Sequence, residues 1–179
     1  ILSALSAAPH RVPFLVGPCG SGRTSVLMSL VHHLGRDKCQ YIDAERTTST
    51  PELFLSTILN SSPYSSTAGS PVKQLARNTP RDTFETLLNF FTKTKSSDKA
   101  PATFVIDEIL ELRTFENFPG LRDGFQRFLD SVLFSANHFI FSSRYVNRVH
   151  HLLREFPDKF ELINLSGLSP SDVIEELKG

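Results

Sequence analysis

The sequence predicts an α/β fold built on a five-stranded parallel sheet with helices on both faces. Three observations predict it. Five short apolar runs are separated by stretches of helical period. The run Val12–Val16 is continuously apolar rather than alternating, which marks a strand covered on both faces. No internal repeat and no break in composition divides the chain, so a single core domain is expected over residues 1–179. Strands that alternate with helices read as successive βαβ units, and such units pair in parallel.

The elements follow in order. Val12-Pro13-Phe14-Leu15-Val16 is an apolar strand entering a glycine cluster. From Thr24 the period changes: Leu27, Leu30, Val31 and Leu34 share one helix face, and Gly35 is a fitting stop. Residues 39–43 form the second strand. Thr50 caps a helix that has Pro51 at its first position and Leu53, Phe54, Thr57 and Ile58 on one face. Residues 61–80 are rich in Ser, Thr, Pro and Gly and read as a long loop. Phe84, Leu87, Leu88 and Phe91 restore the helical spacing, and 93–99 is a polar connector. Residues 102–106 are the third strand, which runs into Asp107-Glu108. After the Pro119-Gly120 break, Phe125, Phe128, Leu129, Val132 and Leu133 mark a helix. Strand 138–141 ends at Ser142-Ser143-Arg144, a short helix covers about 145–155, and 160–165 is the fifth strand. Ser169-Pro170 caps a last helix carrying Val173, Ile174 and Leu177.

Composition excludes several classes. Lys+Arg and Asp+Glu both number 19, so no global charge favours nucleic acid or an anionic membrane. Cys19 and Cys39 are the only thiols, too few for a disulfide framework, and no Cys/His cluster has zinc spacing. No apolar run approaches the ~20 residues of a membrane span. A reducing cytoplasmic or nuclear setting is expected. The chain begins with Ile and ends within a turn of a helix, so we expect a core cut from a longer protein.

The chemistry concentrates in the loop Gly17-Pro18-Cys19-Gly20-Ser21-Gly22-Arg23-Thr24, followed by Ser25. It fits G-x-x-x-x-G-[KR]-[ST], with arginine where lysine is usual. Glycines permit positive φ and close backbone approach, so that successive N–H groups form an anion nest. The helix that follows adds its positive dipole end. A strand before the loop and an amphipathic helix after it are the context that phosphate binding requires. Thr24 can offer a hydroxyl to Mg²⁺. Arg23 keeps the lysine's charge but is planar and bulkier. It can contact phosphate bidentately, or it can misplace the terminal phosphate and slow turnover.

The third strand delivers Asp107 and Glu108 to its C-terminal end, the edge where parallel sheets bind ligands. Asp107 suits Mg²⁺, which takes few carboxylates and keeps several waters. Glu108 suits the orientation and deprotonation of an attacking water. The same edge argument brings Ser142, Ser143 and Arg144 toward a terminal phosphate, where a hydroxyl can position water and the arginine can sense charge. The basic stretch with Arg144, Arg148, His150, His151 and Arg154 reads as a solvated helix face. His32 and His33 are adjacent and cannot share one face. The many Phe residues at helical spacing read as core.

In this order GPCGSGRT, FVIDE and FIFSSR resemble the P-loop ATPases that carry an extra strand between Walker A and Walker B. Within them the chain is similar to the AAA+ and STAND ATPases, including the archaeal-type ATPases. YIDAE, DEILEL, SSR and the closing ELINLSGLSPSDVIEEL support this. The resemblance implies a three-layer core with sheet order 5-1-4-3-2 and ATP with Mg²⁺ as ligands. It implies Thr24 and Asp107 at the metal and Glu108 as general base, with Ser143 and Arg144 sensor-like. It also implies a helical lid beyond residue 179 and an arginine finger, for which Arg148 and Arg154 are candidates by position alone. The expected function is an ATP-binding, ATP-hydrolysing module that couples nucleotide state to conformational change or assembly of a larger protein. The partner would be another protein or the chain itself, through domains outside this segment. The alternatives are a non-hydrolysing nucleotide-binding scaffold and a DNA-associated ATPase of the loader or transposition-regulator type.

Overall fold

A computed structural model describes residues 11–64, 79–96 and 100–167 of the chain. The last predicted helix, residues 169–177, and most of the predicted 61–80 loop lie outside the described residues.

Five strands form one sheet: β1 (Val12–Val16), β2 (Cys39–Asp43), β3 (Thr103–Asp107), β4 (His138–Ser143) and β5 (Phe160–Asn164). Their order is β2-β3-β4-β1-β5 and every pairing is parallel. This is the predicted 5-1-4-3-2 order read from the opposite edge. Among the described residues six α-helices accompany the strands: α1 (Arg23–Leu34), α2 (Ala44–Thr47), α3 (Pro51–Ser61), α4 (Pro80–Lys93), α5 (Gly124–Leu133) and α6 (Val146–Glu155). A 3₁₀ helix (Ile109–Asn117) follows β3.

Strand pleating sorts the sequence onto two faces. Leu15, Cys39, Val105 and Ile140 face α1 and pack with its Leu27, Leu30 and Val31. Phe14, Val16, Ile42, Phe104, Ile106, Phe139 and Phe141 face the other way, into the larger core built by the remaining helices. Phenylalanine rings dominate that core. Phe91 meets Phe104 edge-on at 5.0 Å, and Phe104 stacks on Phe139 at 5.4 Å. Phe91 is buried, as its helical spacing predicts, and so are Phe104 and Phe139 on the strands.

Local chemistry sets the helix ends. Thr50 accepts from Leu53 N and caps α3, with Pro51 behind it. Thr79 and Asp82 close a reciprocal capping box at the start of α4, which shortens the loop expected up to residue 80. Sequence period missed α2 and the 3₁₀ segment. Both are short, and α2 begins where Asp43 accepts from Arg46 N and turns the chain directly off β2. The sheet's register aligns Asp43 with Asp107 and Val16 with Ser143, so the strand ends share one edge.

Candidate functional site

The glycine loop leaves β1 at that edge. Gly20 and Gly22 have φ of 80° and 79°, values that favour glycine. Gly17 has no room for a side chain: a Cβ there would lie 2.4 Å from the Leu165 carbonyl oxygen. The strand-β5 exit therefore presses on the loop's first residue, and Leu165 N donates to Val16 O at 2.7 Å. Gly22 is the N-cap of α1 and supplies no side chain to its first turn, which also has no acidic residue. The N–H groups at this end are thus left for an anion. Pro18, Cys19, Gly20, Gly22, Thr24 and Ser25 are exposed and Ser21 is half-buried.

Arg23 turns the other way. It is 8% exposed. One guanidinium nitrogen donates to the carbonyls of Gly17 and Pro18, and the other donates to Glu108 Oε1 at 2.6 Å. Its Nε is buried without a hydrogen-bond partner. The loop is closed around its own arginine, and that arginine holds the second carboxylate of the pair after β3.

Asp107 and Glu108 are both 5% exposed, yet they point to different partners. Asp107 Oδ2 accepts from Thr24 Oγ1 at 2.8 Å and from Tyr41 Oη at 2.8 Å. Its Oδ1 accepts from Ser142 Oγ. Glu108 Oε2 accepts from Arg144 N at 3.0 Å, and Glu108 N donates to Ser142 Oγ at 3.1 Å. Glu108 adopts φ 56° and ψ 49°, the sole positive φ outside glycine among the described residues. For an L-residue that conformation costs roughly 1–2 kcal/mol, and it is held by hydrogen bonds on both sides of the residue. It re-aims the Glu108 side chain as β3 ends and the 3₁₀ helix begins.

The sequence expectations for β4 resolve by pleat. Ser142 lies on the α1 face with Val105 and Asp107, and it reaches both carboxylate residues. Ser143 lies on the opposite face; its Oγ accepts from Tyr145 N at 3.1 Å. The Arg144 guanidinium donates to Glu45 Oε1 at 2.7 Å and to Glu111 Oε1 at 3.2 Å. Only its backbone N–H meets Glu108. The structure thus gathers Gly17, Arg23, Thr24, Asp107 and Glu108 and places Ser143 and the Arg144 head group beside them with partners of their own.

The sequence gives Tyr41 no role, although a parity count points to it. Cys39, Tyr41 and Asp43 alternate in register with Thr103, Val105 and Asp107. Burial, then the hydrogen bond to Asp107, push the Tyr41 phenol well above its ordinary range, so it keeps its proton and acts as a donor. Cys39, buried beneath α1, has its thiol pushed up to about 12 by burial.

Taken together, a parallel sheet of this order, a glycine loop between β1 and α1, and an Asp-Glu pair at the end of β3 define a P-loop nucleoside-triphosphatase core. The chain belongs to the AAA domain family, dynein-related subfamily, whose sequence model matches residues 13–116. That span runs from β1 through most of the 3₁₀ helix and contains the loop and both carboxylates. No curated protein matches the chain. Among solved structures it is similar to the Walker-type ATPase PABY2304 of Pyrococcus abyssi, at 17% identity and a TM-score of 0.63. That alignment covers 99% of this chain and 54% of the other. The Aeropyrum pernix ORC1 protein, solved in complex with DNA, aligns at 18% identity and a TM-score of 0.64, over 98% of this chain and 44% of that one. The FIGL-1 AAA domain in complex with ADP aligns at 16% and 0.51, over 96% and 48%. The chain therefore spans about half the length of the solved structures it matches. Among the described residues no helix is long and apolar enough to cross a membrane.

Proposed function

We propose that this domain binds ATP with Mg²⁺ on the Gly17–Thr24 loop and changes conformation with nucleotide state, as the core of a longer assembly or remodelling protein. The observation that carries the reading is the meeting of Thr24 and Asp107. They stand 83 positions apart in sequence and touch at 2.8 Å at the open end of α1. A hydroxyl and a carboxylate in hydrogen-bond contact form the sparse, hard-oxygen donor set that suits Mg²⁺. With the ion bound, phosphate charge would be screened. The exposed loop and the uncapped first turn of α1 supply N–H groups to phosphate oxygens. Ser25 and Ser21 flank them.

Arg23 decides what happens next. Its two terminal guanidinium nitrogens are engaged by Gly17, Pro18 and Glu108. A bound terminal phosphate is a stronger acceptor for a guanidinium than a backbone carbonyl. We infer that phosphate draws Arg23 out of the loop and frees Glu108 to take a proton from water. The change can spread along a physical chain. Glu108 is bonded to Arg144 N, and the Arg144 side chain ties α2, through Glu45, to the 3₁₀ helix, through Glu111.

The Arg23–Glu108 ion pair also favours a second reading, a nucleotide-binding scaffold in which Glu108 stays engaged and turnover is negligible. ATP turnover by the parent and by Glu108→Gln separates the two. A rate lost in the variant supports hydrolysis with Glu108 as base, and equal rates sink that assignment. The ORC1 neighbour was solved with DNA; the corresponding DNA-associated role for this chain requires salt-dependent DNA binding, with affinity falling steeply as salt rises.

A further inference from the structure

We propose that Tyr41 is a positioning residue: its hydroxyl fixes the Asp107 carboxylate in the orientation that presents it to Mg²⁺. The assignment rests on the nucleotide reading above and deepens it. Asp107 is the last residue of β3, paired with Asp43 of β2 while the pairing with β4 ends at Ile106. A carboxylate there can rotate about two side-chain bonds unless it is held. Three donors hold it, from three different elements: Thr24 on α1, Tyr41 on β2 and Ser142 on β4.

The three are not equivalent. Ser142 grips Oδ1 and is shared with Glu108 N. Thr24 and Tyr41 both bind Oδ2, the oxygen beside the α1 hydroxyl and so the one that faces the ion. Thr24 is exposed and would itself turn toward the ion. Tyr41 is the donor on Oδ2 that an arriving ion does not recruit. Its backbone is locked by the pairing of Tyr41 with Val105, and its half-buried ring packs against the α1-face cluster. A phenol with two side-chain torsions, fixed at one end by the sheet, delivers a hydrogen bond with little loss of entropy. The oxygen is therefore already oriented before the ion arrives.

The test reads a ratio rather than an activity. ATP affinity is measured by equilibrium titration with excess MgCl₂ and again with EDTA, for the 179-residue chain and for Tyr41→Phe. The quotient is the gain in affinity that the metal confers. A variant that only loosens the fold shifts both affinities together and leaves the quotient alone. Loss of a charge-assisted hydrogen bond to the metal-facing oxygen lowers the quotient by about tenfold. Asp107→Asn lowers it further, and Tyr41→Phe adds nothing in that background, because the two act through one carboxylate. Tyr41→Leu, which keeps an apolar side chain at the site, gives the same loss. A quotient unchanged in either folded Tyr41 variant overturns the assignment while leaving the nucleotide reading in place. A parent chain that binds no ATP in either buffer overturns the nucleotide reading itself, and the Tyr41 role falls with it.

Discussion

Arg23 and Glu108 meet at 2.6 Å inside the site, both side chains less than a tenth exposed. One is the first residue of α1 and the other the residue after β3, so the pair staples the glycine loop to the strand end that carries the carboxylates. A buried pair of this kind has a known asymmetry. Removing both charges is often nearly neutral, whereas removing one leaves the other without compensation, at a cost of about 3–5 kcal/mol. Glu108→Met should therefore destabilise the domain by about that amount in urea unfolding. Arg23→Met added to it should recover most of the loss. Additive losses would mean that the two charges are solvated independently.

The same pairing makes a kinetic prediction. Arg23→Lys replaces a planar fork, now spanning two carbonyls and a carboxylate, with a single ammonium. A lysine cannot hold all three acceptors in that geometry, so Glu108 is released more readily. ATP turnover should rise about tenfold, the effect of roughly 1.4 kcal/mol on the barrier. No rise in turnover together with unchanged ATP affinity would show that the arginine is not the limiting feature.

The two cysteines give a direct readout of the loop. Cys19 is exposed and Cys39 is buried. A maleimide should label Cys19 in the native chain and reach Cys39 only after unfolding. Saturating ATP should slow Cys19 labelling at least several-fold, since the nucleotide covers the loop. Labelling indifferent to ATP would place the nucleotide elsewhere.

Cys39 also carries a pH signature. Its thiol is pushed up from 9.0 to about 12 by burial, so the folded state favours the protonated form. A group raised in the folded state contributes stability below its unfolded value and loses it as pH rises toward the folded one. Stability should fall between about pH 9 and 12, and Cys39→Ala should flatten that part of the pH profile. An unchanged alkaline slope would contradict it.

Far from the site, Asn137 anchors the opposite end of the sheet. It is 7% exposed, accepts from Ala102 N at 3.0 Å and donates to the Phe91 and Thr94 carbonyls. Asn137→Ala leaves these backbone groups unpaired beneath the core and should cost about 2–3 kcal/mol by thermal or urea denaturation. ATP affinity should not move, because the residue lies at the N-terminal edge of β3 and β4.

Much of this was readable from residue order because the governing patterns are local. Strand composition, the helix period of Leu27, Leu30, Val31 and Leu34, and the glycine loop each express themselves within a dozen residues. The parallel sheet and the identities of Thr24, Asp107 and Glu108 as neighbours followed from that and from the family resemblance. Three things did not follow. The sequence leaves Arg23 either contacting or misplacing a phosphate, and its protein partners, Glu108 and two loop carbonyls, are known only once the fold brings them together. The strand-edge argument names Ser142 and Ser143 alike and the resemblance only Ser143, whereas β4's pleat sends Ser142 to the α1 face with Asp107. The 3₁₀ segment has no clear apolar period, and it hid Glu111, an acceptor for the Arg144 guanidinium. In each case the missing information was which side of a strand or turn a side chain leaves from.

The central claim is that phosphate and Glu108 compete for Arg23. Titrating Mg·ATP into the parent chain and into Glu108→Gln measures this most directly. The account predicts saturable one-to-one binding by the parent and about tenfold tighter binding by the variant, since a neutral amide holds the guanidinium less strongly than a carboxylate. Equal or weaker binding by Glu108→Gln would contradict it.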